Sequence, residues 1–204
     1  YEMCGRDWSS DVALPIWVLA SCGQPCVSVH VRIVDEKNDD VKPHVMGEVV
    51  VQSKMVMAEY WHKPEETRDV MVDGWLHTGD MGYYDEKGYI YLVDRKRDMI
   101  VTGGENVYPR EVEEILYRHP AVAEAAVIGV PDDLWIERVH AQVVLKEGQY
   151  AMGDEMMEFC KQHLARYKAP KSIEFVESLP KNPQGKILKT ELKKKYWTGM
   201  ERKI

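Results

Sequence analysis

The chain has 204 residues, 45% of them hydrophobic and 30% charged, with a formal net charge of -7. That composition fits one or two ordinary globular domains and excludes disorder, and the acidic balance excludes a nucleic-acid partner held on a broad basic face. No apolar run reaches the ~20 residues that span a bilayer, and the cysteines Cys4, Cys22, Cys26 and Cys160 lack the second Cys/His pair of a zinc site. No metal site and no transmembrane segment are therefore read, and reduced thiols in a cytoplasmic protein are expected.

Residues 1–26 show no clear period. From Val27 to Ile33, Val27, Val29, Val31 and Ile33 alternate with polar residues, the pattern of a half-buried strand. Asp35–Asp40 is turn material and Gly47–Val51 a second strand. Pro64–Met71 reads as a short helix stopped by the Asp73-Gly74 turn. Trp75–Asp80 is a strand, and Asp85-Glu86-Lys87-Gly88 a turn leading into the aromatic strand Tyr89–Val93. Tyr83, Tyr84, Tyr89 and Tyr91 are expected to form cross-strand pairs. The rings of Trp61, Trp75 and Trp135 are expected to be packed in the core or an interface.

The character changes after the charged cluster Asp94–Asp98, the candidate linker. Met99–Thr102 is a short strand ending at Gly103-Gly104. Pro109 stands where a first helical residue should be, with Glu111, Glu113 and Glu114 in the early turns, and Pro120 closes that helix. Ala123–Val130 and Val139–Lys146 are strands, Asp154–Tyr167 a helix, Ser172–Glu177 a strand and Thr190–Trp197 a last helix. The basic run from Lys181 to Lys203 reads as a solvated helix end. The fold class is α+β: a small antiparallel β-barrel or meander, followed by a compact C-terminal α/β domain built as a three-stranded sheet with helices.

Four segments can carry chemistry: His77-Thr78-Gly79-Asp80, Asp94-Arg95-Lys96-Arg97, Gly103-Gly104-Glu105-Asn106, and Pro180 to Ile187 with Gly185-Lys186. Singly, each suits a turn or a loop. Together they suit a nucleotide. A carboxylate at a strand end accepts from ribose hydroxyls, an arginine pairs with ribose or phosphate oxygens, paired glycines allow close backbone approach, and a lysine on a Gly-Pro loop is a movable point charge.

In order and spacing, Asp73-Gly74-Trp75-Leu76-His77-Thr78-Gly79-Asp80, Asp94-Arg95-Lys96-Arg97-Asp98-Met99-Ile100, Gly103-Gly104-Glu105-Asn106-Val107-Tyr108-Pro109 and Leu179-Pro180-Lys181 through Gly185-Lys186-Ile187-Leu188 resemble the acyl-CoA synthetases of the adenylate-forming superfamily. The resemblance covers about residues 25 to 195. It implies residues 1–94 as the last β-rich part of an N-terminal AMP-binding domain, 95–97 as a hinge and 98–204 as a mobile C-terminal domain. It implies Asp80 on the ribose of ATP, Arg95 beside it, Arg97 at the hinge, Lys186 as the catalytic lysine near the α-phosphate, and Gly103, Gly104 and Glu105 as a loop lining the CoA tunnel. ATP or AMP, CoA and Mg2+ are the implied ligands, with a fatty or related carboxylic acid as substrate.

Departures from the family pattern are equally specific. Its Ser/Thr/Gly-rich phosphate loop is absent. Tyr1-Glu2-Met3-Cys4-Gly5 resembles an eroded Tyr-Gly-x-Thr-Glu motif in which Gly5 replaces the Mg-binding Glu, so no metal ligand is assigned. Glu59 and Ile136 stand where glycine is usual, and Ile136 would be strained there if the glycine holds a positive φ. These features imply that the chain alone does not form an acyl-adenylate, and that a missing N-terminal body or self-association covers residues around 1–60. Two other readings remain: a non-catalytic remnant that binds a partner or nucleotide, and a peptide-synthetase adenylation domain, which would carry a carrier domain where the Lys-rich helix stands.

Overall fold

The computed structural model describes residues 20–198. They form two compact units, residues 20–78 with Gly82–Leu92, and Gly79–Met81 with residues 93–198.

The first unit is organised by turns. Strand β1 (His30–Val34) pairs antiparallel with β2 (Gly47–Gln52), Ile33 facing Val49. The strand starts later than the alternation predicts, because Ser28 takes a φ of 71° and Val27 is left 93% exposed. Helix α1 (Pro64–Val70) has Pro at its first position. It leads into β3 (Met71–Val72), joined to β4 (Trp75–Tyr84) through Asp73-Gly74. Both turn residues have positive φ, 51° and 80°, the requirement of a two-residue hairpin whose twist matches its strands. β5 (Ile90–Arg95) also pairs with β4, and the sheet runs β1-β2-β4-β3. The turn before β5 is set by Asp85, whose carboxylate accepts from the amides of Lys87 and Tyr89 at 2.9 Å each. Across that hairpin Tyr83 and Tyr91 stack at 4.9 Å between ring centroids, as the aromatic pattern predicts. Trp75 lies under the Arg32 guanidinium, but Trp61 is 81% exposed and finds no core among the described residues.

The second unit is a layered α/β structure. A 3-10 turn (Lys96–Asp98) follows β5 and leads to the hairpin of β6 (Ile100–Thr102) and β7 (Glu105–Val107). Helix α2 (Pro109–Arg118) comes next, then the long hairpin of β8 (Val122–Asp132) and β9 (Ile136–Leu145). Helix α3 (Gly153–His163) crosses back to β10 (Ser172–Phe175), which runs parallel to β9, and α4 (Lys189–Trp197) closes the described chain. The three strands expected from the sequence, β8, β9 and β10, form the body of this sheet, and the β6–β7 hairpin extends it to five.

Strand periodicity divides the core in two. On β8, Val122, Ala125 and Val127 face one side with Val139, Ala141 and Val143 of β9. There they pack with Val112, Ile115 and Leu116 of α2 and Met156 and Cys160 of α3. Ala126, Ile128 and Val130 face the other side and pack with Leu179, Ile187 and Leu192. Both faces of β8 are covered, so it reads as a nearly continuous apolar run rather than an alternation. Burial raises the Cys160 thiol to about 11, which leaves it protonated and inert.

Candidate functional site

Asp80 lies within β4 and Arg95 at the end of β5, and the pairing of these strands brings the two side chains together. Arg95 Nε is 3.4 Å from Asp80 Oδ1, with both side chains part-exposed. The preceding residue has a structural task that the sequence hides. One Asp94 oxygen accepts from the Arg95 amide at 2.8 Å, and the other accepts from the Arg110 amide at 2.9 Å. Helix α2 has no cap from its own N-cap residue Tyr108, so Asp94 satisfies one of its orphan amides and sets negative charge against its positive end. In the sequence Asp94 is only part of a charged cluster; no local spacing links it to a helix start sixteen residues on.

Lys186 sits on a loop that is organised by itself. The Asn182 amide donates to the Lys186 carbonyl at 2.9 Å. The Asn182 side-chain oxygen accepts from the amides of Gln184 and Lys186, at 3.1 and 2.8 Å. Gly185 has a φ of 82°, the left-handed conformation glycine adopts without strain. Ile187 packs into the second core and Leu188 donates to the Pro180 carbonyl at 2.8 Å. The base of the loop is therefore fixed while the Lys186 side chain is exposed.

The lysines around it behave differently. Lys181 pairs with Glu124 at 2.6 Å, Lys189 with Glu113 at 2.9 Å, Lys193 with Asp98 at 3.5 Å and Lys195 with Glu174 at 2.7 Å. In the described part of the run expected to be a solvated helix end, Lys189 and Lys193 are thus part-buried tethers, at 16% and 15% exposure, while Lys194 and Lys195 stay solvated at 71% and 61%. Lys189 and Glu113 are only 16% and 15% exposed, and burial raises the Glu113 pKa against the opposing pull of Lys189. Among the described residues no acidic side chain pairs with Lys186. A cleft of about 430 Å3 in this unit is lined by Arg95, Arg97, Arg110 and Lys186, with Asp94 and Asn182 among the other walls. Three of the sequence-predicted residues, Arg95, Arg97 and Lys186, thus share one cavity. Its guanidinium and ammonium donors suit phosphate oxygens, and the Asp80 carboxylate beside Arg95 suits hydroxyl donors. Among the described residues no group of three His, Cys, Asp or Glu side chains could hold a metal ion, so the Mg2+ implied by the resemblance finds no ligand set there. The eroded motif at residues 1–5 lies outside the described residues.

Gly103, Gly104 and Glu105 stand elsewhere in the same unit. Gly103 and Gly104 form the two-residue turn of the β6–β7 hairpin, with φ of 60° and 85°, and Glu105 opens β7, exposed. The Trp135 ring lies over Gly103 so closely that a Cβ there would meet it at 2.6 Å, and the Gly103 amide donates to the Trp135 carbonyl at 3.0 Å. Trp135 is half exposed, so it is a wall of this loop rather than a core residue. Its own turn is held by Asp132, whose oxygen accepts from the amides of Leu134 and Trp135 at 3.0 and 3.1 Å. Ile136 has a φ of 71°, the strained conformation expected for a β-branched residue at a glycine position. Glu59 is not among the residues with positive φ, so its substitution carries no such strain.

Residues 111–186 match the model of the AMP-binding enzyme C-terminal domain. A long-chain-fatty-acid–CoA ligase of Bacillus subtilis is 50% identical over 173 residues, which are 84% of this chain and 31% of the relative. The fatty acid–[acyl-carrier-protein] ligase ScoC of Streptomyces coeruleorubidus is 43% identical over 92% of this chain and 36% of its own. Among solved structures, o-succinylbenzoate CoA synthetase of Bacillus subtilis in complex with the acyl-adenylate intermediate OSB-AMP superposes with a TM-score of 0.80 at 38% identity, over 87% of this chain and 36% of that one. ATP-bound MatB of Rhodopseudomonas palustris gives 0.82 at 35% identity, over 87% and 36%. The chain spans about a third of the length of the curated relatives it matches. Residues 111–186 thus belong to the AMP-binding enzyme C-terminal domain family, and the chain as a whole is similar to the C-terminal portion of acyl-CoA ligases of the adenylate-forming superfamily.

Proposed function

We propose that this chain supplies the nucleotide grip and the mobile lysine of an AMP-forming acyl-CoA ligase acting on a fatty or related organic acid. The observation that carries the reading is the cleft shared by Arg95, Arg97 and Lys186, with Asp80 paired to Arg95 at 3.4 Å. In the first half-reaction a carboxylate oxygen bonds to the α-phosphorus of ATP as the bond to pyrophosphate breaks. Asp80 accepts from the ribose hydroxyls, Arg95 orients Asp80 and adds a donor, and the Lys186 ammonium offsets charge growing on the α-phosphate and the attacking oxygen. In the second, the CoA thiolate attacks the acyl carbon and AMP leaves. Torsion at Arg97 withdraws Lys186 and brings Gly103, Gly104 and Glu105 to the pantetheine arm. Residues 95–97 serve as the hinge between residues 1–94 and the moving domain from residue 98.

The chain alone does not make acyl-adenylate, because the family's phosphate loop is not in its sequence. Pyrophosphate release from ATP and a fatty acid, abolished by Lys186→Ala, would overturn that. The ribose grip is tested by calorimetric titration with AMP. Saturable binding is expected, weakened at least tenfold by Asp80→Ala and by replacing AMP with its 2′,3′-dideoxy form; equal affinity for both nucleotides would remove Asp80 from the site. The second reading, a non-catalytic module, is favoured by the strained Ile136. Absence of AMP binding at millimolar concentration would favour it over the first.

A further inference from the structure

The lysine loop and the hinge segment are distant in sequence but meet on α4. Lys189, at the start of that helix, is tethered to α2 through Glu113. Lys193, one turn further, reaches the 3-10 turn Lys96–Asp98. Its ammonium is 3.5 Å from the Asp98 carboxylate and donates to the Arg97 carbonyl at 3.3 Å. The two charged side chains are only 15% and 16% exposed, whereas Lys194, the next residue, is 71% exposed and pairs only within its own helix. Leu192 beside them is buried in the second core, so this part of α4 is anchored to the sheet.

Both contacts fall on one side of the Arg97 Cα. The Arg97 carbonyl belongs to the planar peptide group that joins Arg97 to Asp98. Rotation about the Arg97 backbone carries that plane with the residues after it. Other contacts cross Arg97: the Arg110 amide to Asp94 at 2.9 Å, and the Met99 amide to the Arg95 and Lys96 carbonyls at 3.2 and 3.3 Å. A change in the Arg97 torsions must stretch these. It leaves both Lys193 contacts intact.

We propose that Lys193 is a positioning residue that ends the hinge at Arg97. It binds the peptide plane after the pivot to α4, so that the loop bearing Lys186 and the downstream side of the hinge turn as one body. Without it, torsional freedom spreads past Arg97 into Asp98 and Met99, and rotation at the pivot no longer sets the place of Lys186. The proposal rests on the reading of Arg97 as the pivot. Its contacts are independent of any nucleotide.

Amide hydrogen exchange on the whole chain tests it. Lys193→Met should speed exchange across residues 95–99 at least tenfold and leave Val127, Ile128 and Val139–Val143 unchanged. Lys193→Arg should restore protection, Asp98→Asn should reproduce part of the loss, and Lys194→Met should do nothing. Unchanged exchange at 95–99 in both Lys193→Met and Asp98→Asn would overturn the proposal. So would an equal acceleration through the sheet, which would mark Lys193 as a general stabiliser. Because no nucleotide is present, a failed AMP titration would remove the ribose reading and leave this result standing.

Discussion

Ile136 concentrates what one side chain can cost. An L-residue in the left-handed region is strained by about 1–2 kcal/mol, most for β-branched side chains. Here the strain is held by the neighbours: Thr102 bridges to Ile136, and the Gly103 amide donates to the carbonyl just before it. The side chain is 54% exposed, so little burial offsets the cost. Ile136→Gly should therefore raise stability by about 1 kcal/mol, read as a higher urea midpoint at unchanged slope; an unchanged or lower midpoint would show the turn to be relaxed. This position was legible in the sequence because a glycine expectation could be compared with an isoleucine. Asp94 and Lys193 were not, since an acid or a lysine in a charged run says nothing about which distant amide or carbonyl it will meet.

At the level of the element, α4 is fixed to the sheet by a polar network that no motif announces. Tyr196 donates to Glu174 at 2.5 Å, so its oxygen must accept from His140 Nε2 at 2.9 Å; His140 Nδ1 then accepts from the Ser172 hydroxyl at 2.7 Å. Gln142 donates to both Glu174 and Tyr196, and Lys195 pairs with Glu174. This side of β9 is polar where its other side is apolar, and α4 brings the matching groups. Tyr196→Phe removes the shared hydroxyl and should cost about 1–3 kcal/mol, measured by chemical denaturation.

The same network gives acid sensitivity a sign. Hydrogen bonds from Lys195 and then Tyr196 pull the Glu174 carboxyl down to about 2, below its ordinary 4.5. Its contribution is complete above about 4.5 and is lost as pH falls toward 2. Burial lowers the His140 pKa, more than Glu174 opposes it, so the folded chain also loses stability as pH drops below 6.5. Glu174→Gln should flatten the lower part of a melting temperature against pH curve; a curve parallel to the unsubstituted chain would remove Glu174 as its source. Strand and helix positions were largely legible from periodicity. The short β7 and the partners across the sheet were not, because three residues carry no period and register is set by packing.

Over the whole molecule, both units leave apolar side chains uncovered. The second has an apolar core on each face of its sheet, yet Leu134 and Tyr150 are 77% and 82% exposed. The first leaves Val27, Met55 and Trp61 exposed by 93%, 73% and 81%. Apolar side chains left in this way favour association, and light scattering should show mass rising with concentration; a constant monomer mass would count against it. Among the described residues no helix is long and apolar enough to cross a membrane. The order of the motifs made the family legible from sequence alone. The cleft that gathers Arg95, Arg97 and Lys186 needed the fold, because its walls come from segments nearly a hundred residues apart.

The turn that carries Lys186 has a further property, in chemical durability. Asparagine ages when the amide nitrogen of the next residue attacks its side-chain carbonyl and closes a succinimide. At Asn182 the next residue is Pro183, whose nitrogen carries no hydrogen, and the side-chain oxygen is already held by two amides. The residue that shapes the lysine loop is thus protected against the slow reaction that would convert it to a charged side chain. Peptide mapping after long storage should find Asn182 intact, so that the loop keeps its geometry for as long as the chain stays folded.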